Sequence, residues 1–183
     1  MENFNGNTIL KDENITLRFI NIADKTPLFN NLYHNKNVLK YFIAPYYEKE
    51  DELNLDKTIN YYLNNKLYCF TILYQNEVVG LINQLNDVTS INKTVEIGFA
   101  IGEKYWNKGI ATTALKMFIS FLFSQGIHKV TCAHFIENEA SKKVMIQNKM
   151  IFEGTRKDDI FYQNRFYDCN YYYLINKEDD LNG

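Results

Sequence analysis

The sequence predicts an α+β fold: one mixed, mostly antiparallel twisted sheet of about six to seven strands, with a central parallel pair and helices on both faces. Three observations carry this prediction. Segments of alternating apolar and polar residues recur, a hairpin signal joins two of them, and one long amphipathic helix separates two strands near the middle. A helix between two strands favours parallel pairing through a right-handed crossover.

The first half of the chain predicts antiparallel strands and short helices. Residues 14–20 alternate and predict a strand, and residues 24–42 predict two helical pieces interrupted at 34–37. Residues 51–65 predict a helix with a polar side. Residues 67–74 and 78–85 predict a hairpin, followed by a polar connection at 87–93.

The most informative stretch is 94–125. Val95, Ile97, Phe99 and Ile101 lie on one face of a strand, whereas Glu96, Gly98 and Ala100 lie on the other. After a polar turn, apolar residues recur every three or four positions to Phe123 and predict an amphipathic helix that stops at Gly126. The helix start carries Asn107, Lys108 and Gly109. Its unpaired amides and its dipole favour a bound phosphate.

The remaining elements are a strand at 129–135, a helix from Asn138 to about Asn148, a segment at 151–156, a polar connection at 157–165 and a strand at 166–175. Asn138 is a good N-cap, with Ser141 at the third helical position.

Composition limits the classes of function. The 183 residues, 46% hydrophobic, suit one domain spanning 1–183, with a core of about 10–177 and short polar tails. A net charge of −2 gives no basic field for nucleic acid or a membrane surface. The three cysteines lack metal spacing, so we expect no metal, and they suit a reducing cytosol. With no apolar signal core at its start, the chain is expected to be soluble and cytoplasmic.

The segment Trp106-Asn107-Lys108-Gly109-Ile110-Ala111-Thr112 resembles the pyrophosphate loop of the GCN5-related N-acetyltransferase (GNAT) superfamily. Trp106 fits the branch that contains ribosomal-protein-alanine and spermidine acetyltransferases. The resemblance extends over nearly the whole chain. It implies acetyl-CoA as the cofactor, CoA as the product, and a diphosphate held by residues 106–112.

The resemblance also implies that the two parallel strands splay apart and bind the pantetheine arm as though it were another strand. Phe99, Ala100 and Ile101 are the residues that carry this contact by resemblance. Asn138 and Ser141 match the positions at which the family contacts the pantetheine, although both also fit a well-capped helix start.

Glu96 is the candidate base, because a protonated amine must lose a proton before it attacks the thioester. The alternative is a structural ion pair. The amide near Ile101 is the candidate oxyanion donor, and Ser141 or water would protonate the leaving thiolate. Cys132 and His134 share a strand face but lack a third orienting group, which argues against a nucleophilic pair.

Two positions depart from the family pattern. Met145 stands where the family often has a tyrosine acid, and Lys149-Met150 replace a Gly-Phe pair. The alternative to an enzyme is therefore a non-catalytic acyl-CoA-binding or interaction module. A longer acyl donor or an amino-sugar acceptor also remains open.

The acceptor is expected to be a protein N-terminus, a polyamine or another small amine. The acidic stretch 48–56 is either a solvated helix face or a rim that attracts such a cation. By family analogy, the aromatic C-terminal strand would support a homodimer.

Overall fold

The computed structural model describes residues 5–86 and 91–177. Eight strands form one sheet in the order β1-β2-β3-β4-β5-β6-β8-β7. They are β1 (Ile9–Asp12), β2 (Ile15–Phe19), β3 (Cys69–Tyr74), β4 (Glu77–Gln84), β5 (Thr94–Ile101), β6 (Lys129–Phe135), β7 (Ile151–Tyr162) and β8 (Arg165–Ile175). The helices are α1 (Lys25–Leu28), which continues as a π-helical turn over Phe29–Tyr33, α2 (Lys36–Leu39), α3 (Leu55–Asn64), α4 (Ile110–Ser124) and α5 (Glu139–Gln147).

The expected parallel pair is present. Within the described residues, β5 and β6 pair in parallel and the other neighbours pair antiparallel. The helix that joins β5 to β6 is α4, and it ends where expected, with Gly126 at φ +79° just beyond it. Glycine adopts this left-handed conformation without a Cβ clash.

The larger part of the core lies between the sheet and α4. Phe118 of α4 packs edge-on against Phe70 of β3 at 5.5 Å between ring centroids, and Phe121 packs on Tyr68 at 4.7 Å. Leu115, Phe118 and Leu122 are fully buried. These residues fall on the apolar stripe predicted for this helix, so burial of that stripe holds α4 across the sheet.

The opposite face of the sheet carries a buried ion pair. Asp24 accepts hydrogen bonds from the Arg18 guanidinium, at 2.5 and 2.8 Å, and from the Thr71 hydroxyl at 2.7 Å. These contacts tie the segment before α1 to β2 and β3. A charge this buried needs such partners.

The sheet has one strand more than the upper expected number. The additional strand is β1, an edge strand whose residues are largely exposed, and so it lacks the apolar alternation that marks β2. The helix expected at 51–65 begins later, at Leu55, because Asn54 caps it by accepting from the Lys57 N–H. Part of the connection expected at 87–93 lies outside the described residues.

The prediction of a polar connection at 157–165 is wrong. Strand β7 continues to Tyr162 and turns at Gln163 and Asn164, both at positive φ. The polar residues that suggested a loop form a bulge, where Asp158 has φ +48° and donates its N–H to Asp168. A bulge adds residues without ending the strand.

The departure at Lys149-Met150 leaves the helix end intact. Lys149 adopts φ +61°, and Met150 donates its N–H to the Met145 carbonyl at 3.1 Å, which closes α5. Met150 is buried. In the described ranges, no helix has the length and apolar character needed to cross a bilayer.

Candidate active site

The turn before α4 has the geometry of an anion cradle. Asn107 at φ +60° and Gly109 at φ +75° flank Lys108, whose φ is negative. Alternating conformations of this kind turn successive N–H groups toward one concave side. A Cβ on Gly109 would meet no atom within 4 Å, so the space in front of the turn is open.

The first turn of α4 adds three more donors. The first intrahelical bond runs from Thr113 N–H to the Gly109 carbonyl, so the amides of Ile110, Ala111 and Thr112 have no partner inside the helix. No described side chain caps this start. Ile110 itself is only 2% exposed, so it can offer its amide but not its side chain.

Trp106 fastens this turn to β5. Its indole N–H donates to the Ile101 carbonyl at 2.7 Å, while the side chain remains 43% exposed. Tyr105 is buried and donates its hydroxyl hydrogen to Glu77 at 2.8 Å, and the ammonium of Lys108 lies 5.4 Å from the Tyr105 ring centroid. These contacts fix the cradle at the carboxyl end of β5.

Strands β5 and β6 separate beyond Ile97 and Cys132. Their paired register runs from Thr94↔Lys129 to Ile97↔Cys132, although β5 continues to Ile101 and β6 to Phe135. We call the space between Gly98–Ile101 and Ala133–Phe135 the gap. The splayed geometry expected from the resemblance is therefore present.

Hydrogen-bond alternation tells which groups of β5 face the gap. Leu85 N–H bonds the Glu96 carbonyl and Gly102 N–H bonds the Val79 carbonyl, so the even-numbered residues of β5 direct their backbone groups at β4. The amides of Phe99 and Ile101 consequently point toward the gap. Ala100 faces β4, and so it can contribute its methyl side chain to the site but not its backbone.

The other side of the gap leads into α5. Asn138 accepts a hydrogen bond from Ser141 N–H at 3.2 Å, the contact expected of an N-cap. Both side chains are partly exposed. At its far end, α5 reaches the first turn of α4, where the Thr112 hydroxyl donates to Gln147 at 2.8 Å and Asn148 donates to the Thr112 carbonyl.

These contacts show that α5 runs from the end of β6 to the start of α4. It therefore crosses from one side of the gap to the other. Thr112 uses its hydroxyl within this contact, so its amide is the group left to meet an anion. Met145 is fully buried in α5 and packs in the core, away from any role in proton transfer.

Glu96 lies on the face of β5 opposite α4, where it is half-buried. Burial raises the pKa of its carboxyl, Arg156 lowers it and Asp159 raises it further. Its backbone N–H is fixed by Asn86 Oδ1 at 2.7 Å. Glu96 forms no ion pair with a described residue, so the structural ion pair considered as an alternative is not found in this part of the chain.

Sequence reasoning missed three residues near Glu96, which the β7–β8 hairpin supplies. Tyr171 donates its hydroxyl hydrogen to Asp159 at 2.7 Å, and the Arg156 guanidinium stacks on the Tyr171 ring at 3.9 Å. Asp159 was predicted to lie in a polar connection, and Arg156 at the end of the segment before it. Only the pairing of β7 with β8 brings them to this face, and no sequence signal marks them.

The acidic stretch before α3 is used locally. Glu50 accepts from the Thr26 hydroxyl at 2.7 Å, and Glu52 accepts from the backbone N–H groups of Glu48 and Lys49. Glu50 therefore ties this stretch to α1, and Glu52 caps the turn that precedes α3.

The residues fit a cofactor that carries a diphosphate and an extended arm. The cradle offers several convergent amides beside Lys108, and the gap offers the unpaired edge of β5. A mixed sheet that splays beside such a helix start is typical of an acyl-CoA-dependent transferase.

Comparison with known proteins agrees. A family model described as an acetyltransferase (GNAT) domain matches residues 14–151. The chain belongs to the GNAT acetyltransferase family, whose reaction is acetyl-CoA-dependent N-acetylation. It is 28% identical to the ribosomal-protein-serine acetyltransferase of Escherichia coli strain K12, over 92% of this chain and 96% of that protein.

Two further matches carry other names. The spermidine N(1)-acetyltransferase of Vibrio cholerae is 23% identical, over 88% of this chain and 92% of that protein. The fold also matches the microcin C7 self-immunity acetyltransferase MccE, solved with acetyl-CoA and AMP. The TM-score is 0.82 at 21% identity, over 90% of this chain and 94% of the other.

Proposed function

We propose that the protein transfers the acetyl group of acetyl-CoA directly to a primary amine within a ternary complex, with Glu96 as the base. One observation carries the proposal. The open start of α4, the edge of β5 at the gap and the carboxylate of Glu96, which forms no ion pair with a described residue, all belong to one strand-turn-helix unit. A cofactor held at one end therefore places its thioester near the other.

We assign cofactor binding to the backbone groups that have no hydrogen-bond partner among the described residues and to the side chains beside them. The amides of Gly109, Ile110, Ala111 and Thr112, together with Asn107 and Lys108, hold the diphosphate, and Trp106 anchors the turn. Phe99 and Ile101 offer backbone groups to the pantetheine arm, and Ala100 offers a small side chain. Asn138 and Ser141 flank the arm from α5.

The chemical roles follow from these positions. Acetyl-CoA supplies the thioester carbon that the amine attacks. Glu96 takes the proton of the ammonium, directly or through water, and a raised pKa brings its proton affinity closer to the working pH. The Ile101 amide donates to the carbonyl oxygen as negative charge develops there. Ser141 or water protonates the departing thiolate.

The acceptor is a protein N-terminus, a polyamine or another small amine. The curated relatives named for ribosomal protein and spermidine support this range. The Arg156 guanidinium near Glu96 favours an amine that carries an anionic group nearby over a polyamine. A panel containing spermidine, aminoacyl compounds and N-terminal peptides separates these classes by CoA release.

The role of Glu96 is tested with Glu96→Gln. We expect turnover to fall by about 100-fold or more, while CoA still binds. A base must be deprotonated, so wild-type turnover rises as pH rises through the Glu96 pKa, which lies above the usual value for glutamate. This rise should be absent in the variant.

Glu153→Gln is the matched control, because Glu153 is an exposed carboxylate of β7 paired with Lys129. It should leave both turnover and the pH profile unchanged. An identical pH profile in wild type and Glu96→Gln would remove Glu96 as the base.

The second candidate is a non-catalytic acyl-CoA-binding module. The buried Met145, at the position where the family often has a tyrosine, is the observation in its favour. Such a module would be stabilised by CoA against thermal unfolding without consuming acetyl-CoA in the presence of any amine in the panel.

The domain assignment and location belong to the same proposal. One core cluster joins buried residues from β2 to β8, which supports a single domain with a core of about residues 10–177. The three cysteines are buried and unpaired, as expected in a cytoplasmic protein. The homodimer stays a prediction, checked by sedimentation of the full chain.

A further inference from the structure

One polar atom in the core of the site has no partner. His134 of β6 is 5% exposed, and its Nε2 forms no hydrogen bond with any described residue. A buried polar atom left unsatisfied is unfavourable and rare in folded proteins, and so each such atom requires an explanation. His134 takes no part in the roles assigned above.

The protonation of the ring follows from its other nitrogen. Nδ1 lies 2.7 Å from the Phe135 carbonyl, and a carbonyl oxygen can only accept, so Nδ1 carries the hydrogen. Burial lowers the pKa of His134, which favours the neutral ring. Nε2 therefore carries no hydrogen, and its lone pair requires a hydrogen-bond donor.

The position of the ring indicates where that donor enters. The last paired residues of the two strands are Ile97 and Cys132. Two positions further along, Phe99 and His134 lie on the same face of the sheet as α4, where the strands separate. Toward β8, the ring packs on Tyr172 at 5.6 Å between centroids. Toward α5, it lies near Glu139 and Lys142 of the first turns. The side that lacks a paired strand is the gap.

We propose that His134 positions the acyl carrier by accepting, at Nε2, a hydrogen bond from a donor of the pantetheine arm in the gap. This inference rests on the proposed function, because it needs the arm to occupy the gap. The arm has three kinds of donor: its amide N–H groups, the hydroxyl of its pantoyl part, and the S–H of CoA, which is absent from acetyl-CoA.

Two substitutions separate the ring nitrogens. In His134→Asn the amide can occupy the place of Nδ1 and keep the bond to Phe135, but nothing reaches the place of Nε2. In His134→Gln the longer side chain brings an acceptor oxygen to the place of Nε2. His128→Asn, just before the start of β6, is the matched control.

Binding is followed by the fluorescence of Trp106, the single tryptophan of the chain, which lies beside the cradle. The ligands are CoA, acetyl-CoA and ADP 3′-phosphate, which retains the diphosphate and lacks the pantetheine arm. We expect His134→Asn to weaken CoA binding about three- to tenfold, the worth of one hydrogen bond. ADP 3′-phosphate binding should be unchanged, and His134→Gln should recover most of the loss.

Acetyl-CoA identifies the donor. If an amide N–H or the pantoyl hydroxyl bonds Nε2, His134→Asn weakens the binding of acetyl-CoA and CoA alike. If the thiol does so, only the binding of CoA is weakened. Either result supports the proposal. Equal affinities of wild type and His134→Asn for both ligands would overturn it, as would an equal loss for ADP 3′-phosphate, which indicates a general structural role.

A measurement on the wild-type chain avoids any failure of a variant to fold. The imidazole nitrogen resonances of ¹⁵N-labelled protein report whether Nε2 is hydrogen-bonded. The chemical shift of Nε2 should change on adding CoA or acetyl-CoA but not on adding ADP 3′-phosphate. An Nε2 chemical shift that stays the same when CoA or acetyl-CoA is bound contradicts the proposal. If the wild type binds neither CoA nor acetyl-CoA, the proposed function itself fails.

Discussion

The two helices that follow the parallel strands begin in opposite ways. Helix α4 starts after two left-handed residues, Asn107 and Gly109, with a lysine between them and without a described side-chain cap. Helix α5 starts with Asn138 bonded to the Ser141 N–H, and Glu139 stands in its first turn. One start leaves its donors open beside a cation, and the other satisfies a donor from its own sequence.

The difference indicates that the start of α4 serves ligand binding, whereas the start of α5 serves the stability of the helix. Free amides at a helix start attract an anion, whereas a capped amide and a first-turn carboxylate stabilise the helix without a ligand. We therefore expect changes at the start of α4 to alter cofactor affinity far more than stability. Changes at the ends of α5 should act first on stability.

The largest effect is expected for Gly109→Asp. A carboxylate at this position faces the diphosphate, and two charges about 4 Å apart repel by roughly 4 kcal/mol near a protein surface. Since each 1.4 kcal/mol is tenfold, CoA affinity should fall by about 1,000-fold in a fluorescence titration. Stability should change by no more than about 1 kcal/mol, because an aspartate at a helix start offsets part of the strain of positive φ.

Gly126→Asp is the matched control for this change. Gly126 has nearly the same conformation, and a Cβ there also meets no atom within 4 Å, but it lies at the other end of α4. Its CoA affinity should equal that of the wild type. A Gly109→Asp protein that still binds CoA within about threefold of wild type would contradict the proposal that the start of α4 binds the diphosphate.

An intermediate effect is expected at Asn138. Removing the cap in Asn138→Ala should lower the free energy of unfolding by about 1 kcal/mol in urea denaturation. Asn138→Asp keeps an acceptor for the Ser141 N–H and should keep the stability. The aspartate lacks the amide hydrogens, so a contact from Asn138 to the pantetheine arm would show as weaker CoA binding in both variants. If Asn138→Asp binds CoA as tightly as the wild type, Asn138 caps α5 but does not donate a hydrogen bond to the pantetheine arm.

The smallest effect is expected for Lys149→Gly at the end of α5. Lys149 holds φ +61°, which strains a residue with a Cβ. Glycine should raise the free energy of unfolding by about 0.5–1 kcal/mol, since relief of this strain exceeds the added freedom of the unfolded chain. Thermal unfolding measures the gain, and CoA affinity should stay at the wild-type value. A loss of stability would show that the lysine makes a compensating contact.

Sequence reasoning succeeded where the signal is local. The alternation around Glu96, the apolar stripe of α4 and the cap at Asn138 each depend on residues close in the chain, and the structure has all three. It failed at β1 and in the second half of β7. An exposed edge strand carries little apolar alternation, and a bulge places polar residues where a loop is expected.

The sequence by itself determined the strand-turn-helix unit, because glycine and asparagine permit the left-handed turn and the helix stripe needs no distant partner to be recognised. Tertiary structure decided what surrounds Glu96 and His134. Arg156, Asp159 and Tyr171 reach Glu96 only through the pairing of β7, β8 and β6. His134, whose Nε2 has no partner among the described residues, lies where β5 and β6 part beyond Ile97 and Cys132. Such contacts join residues far apart in the chain, and their energies depend on burial, which no local pattern encodes.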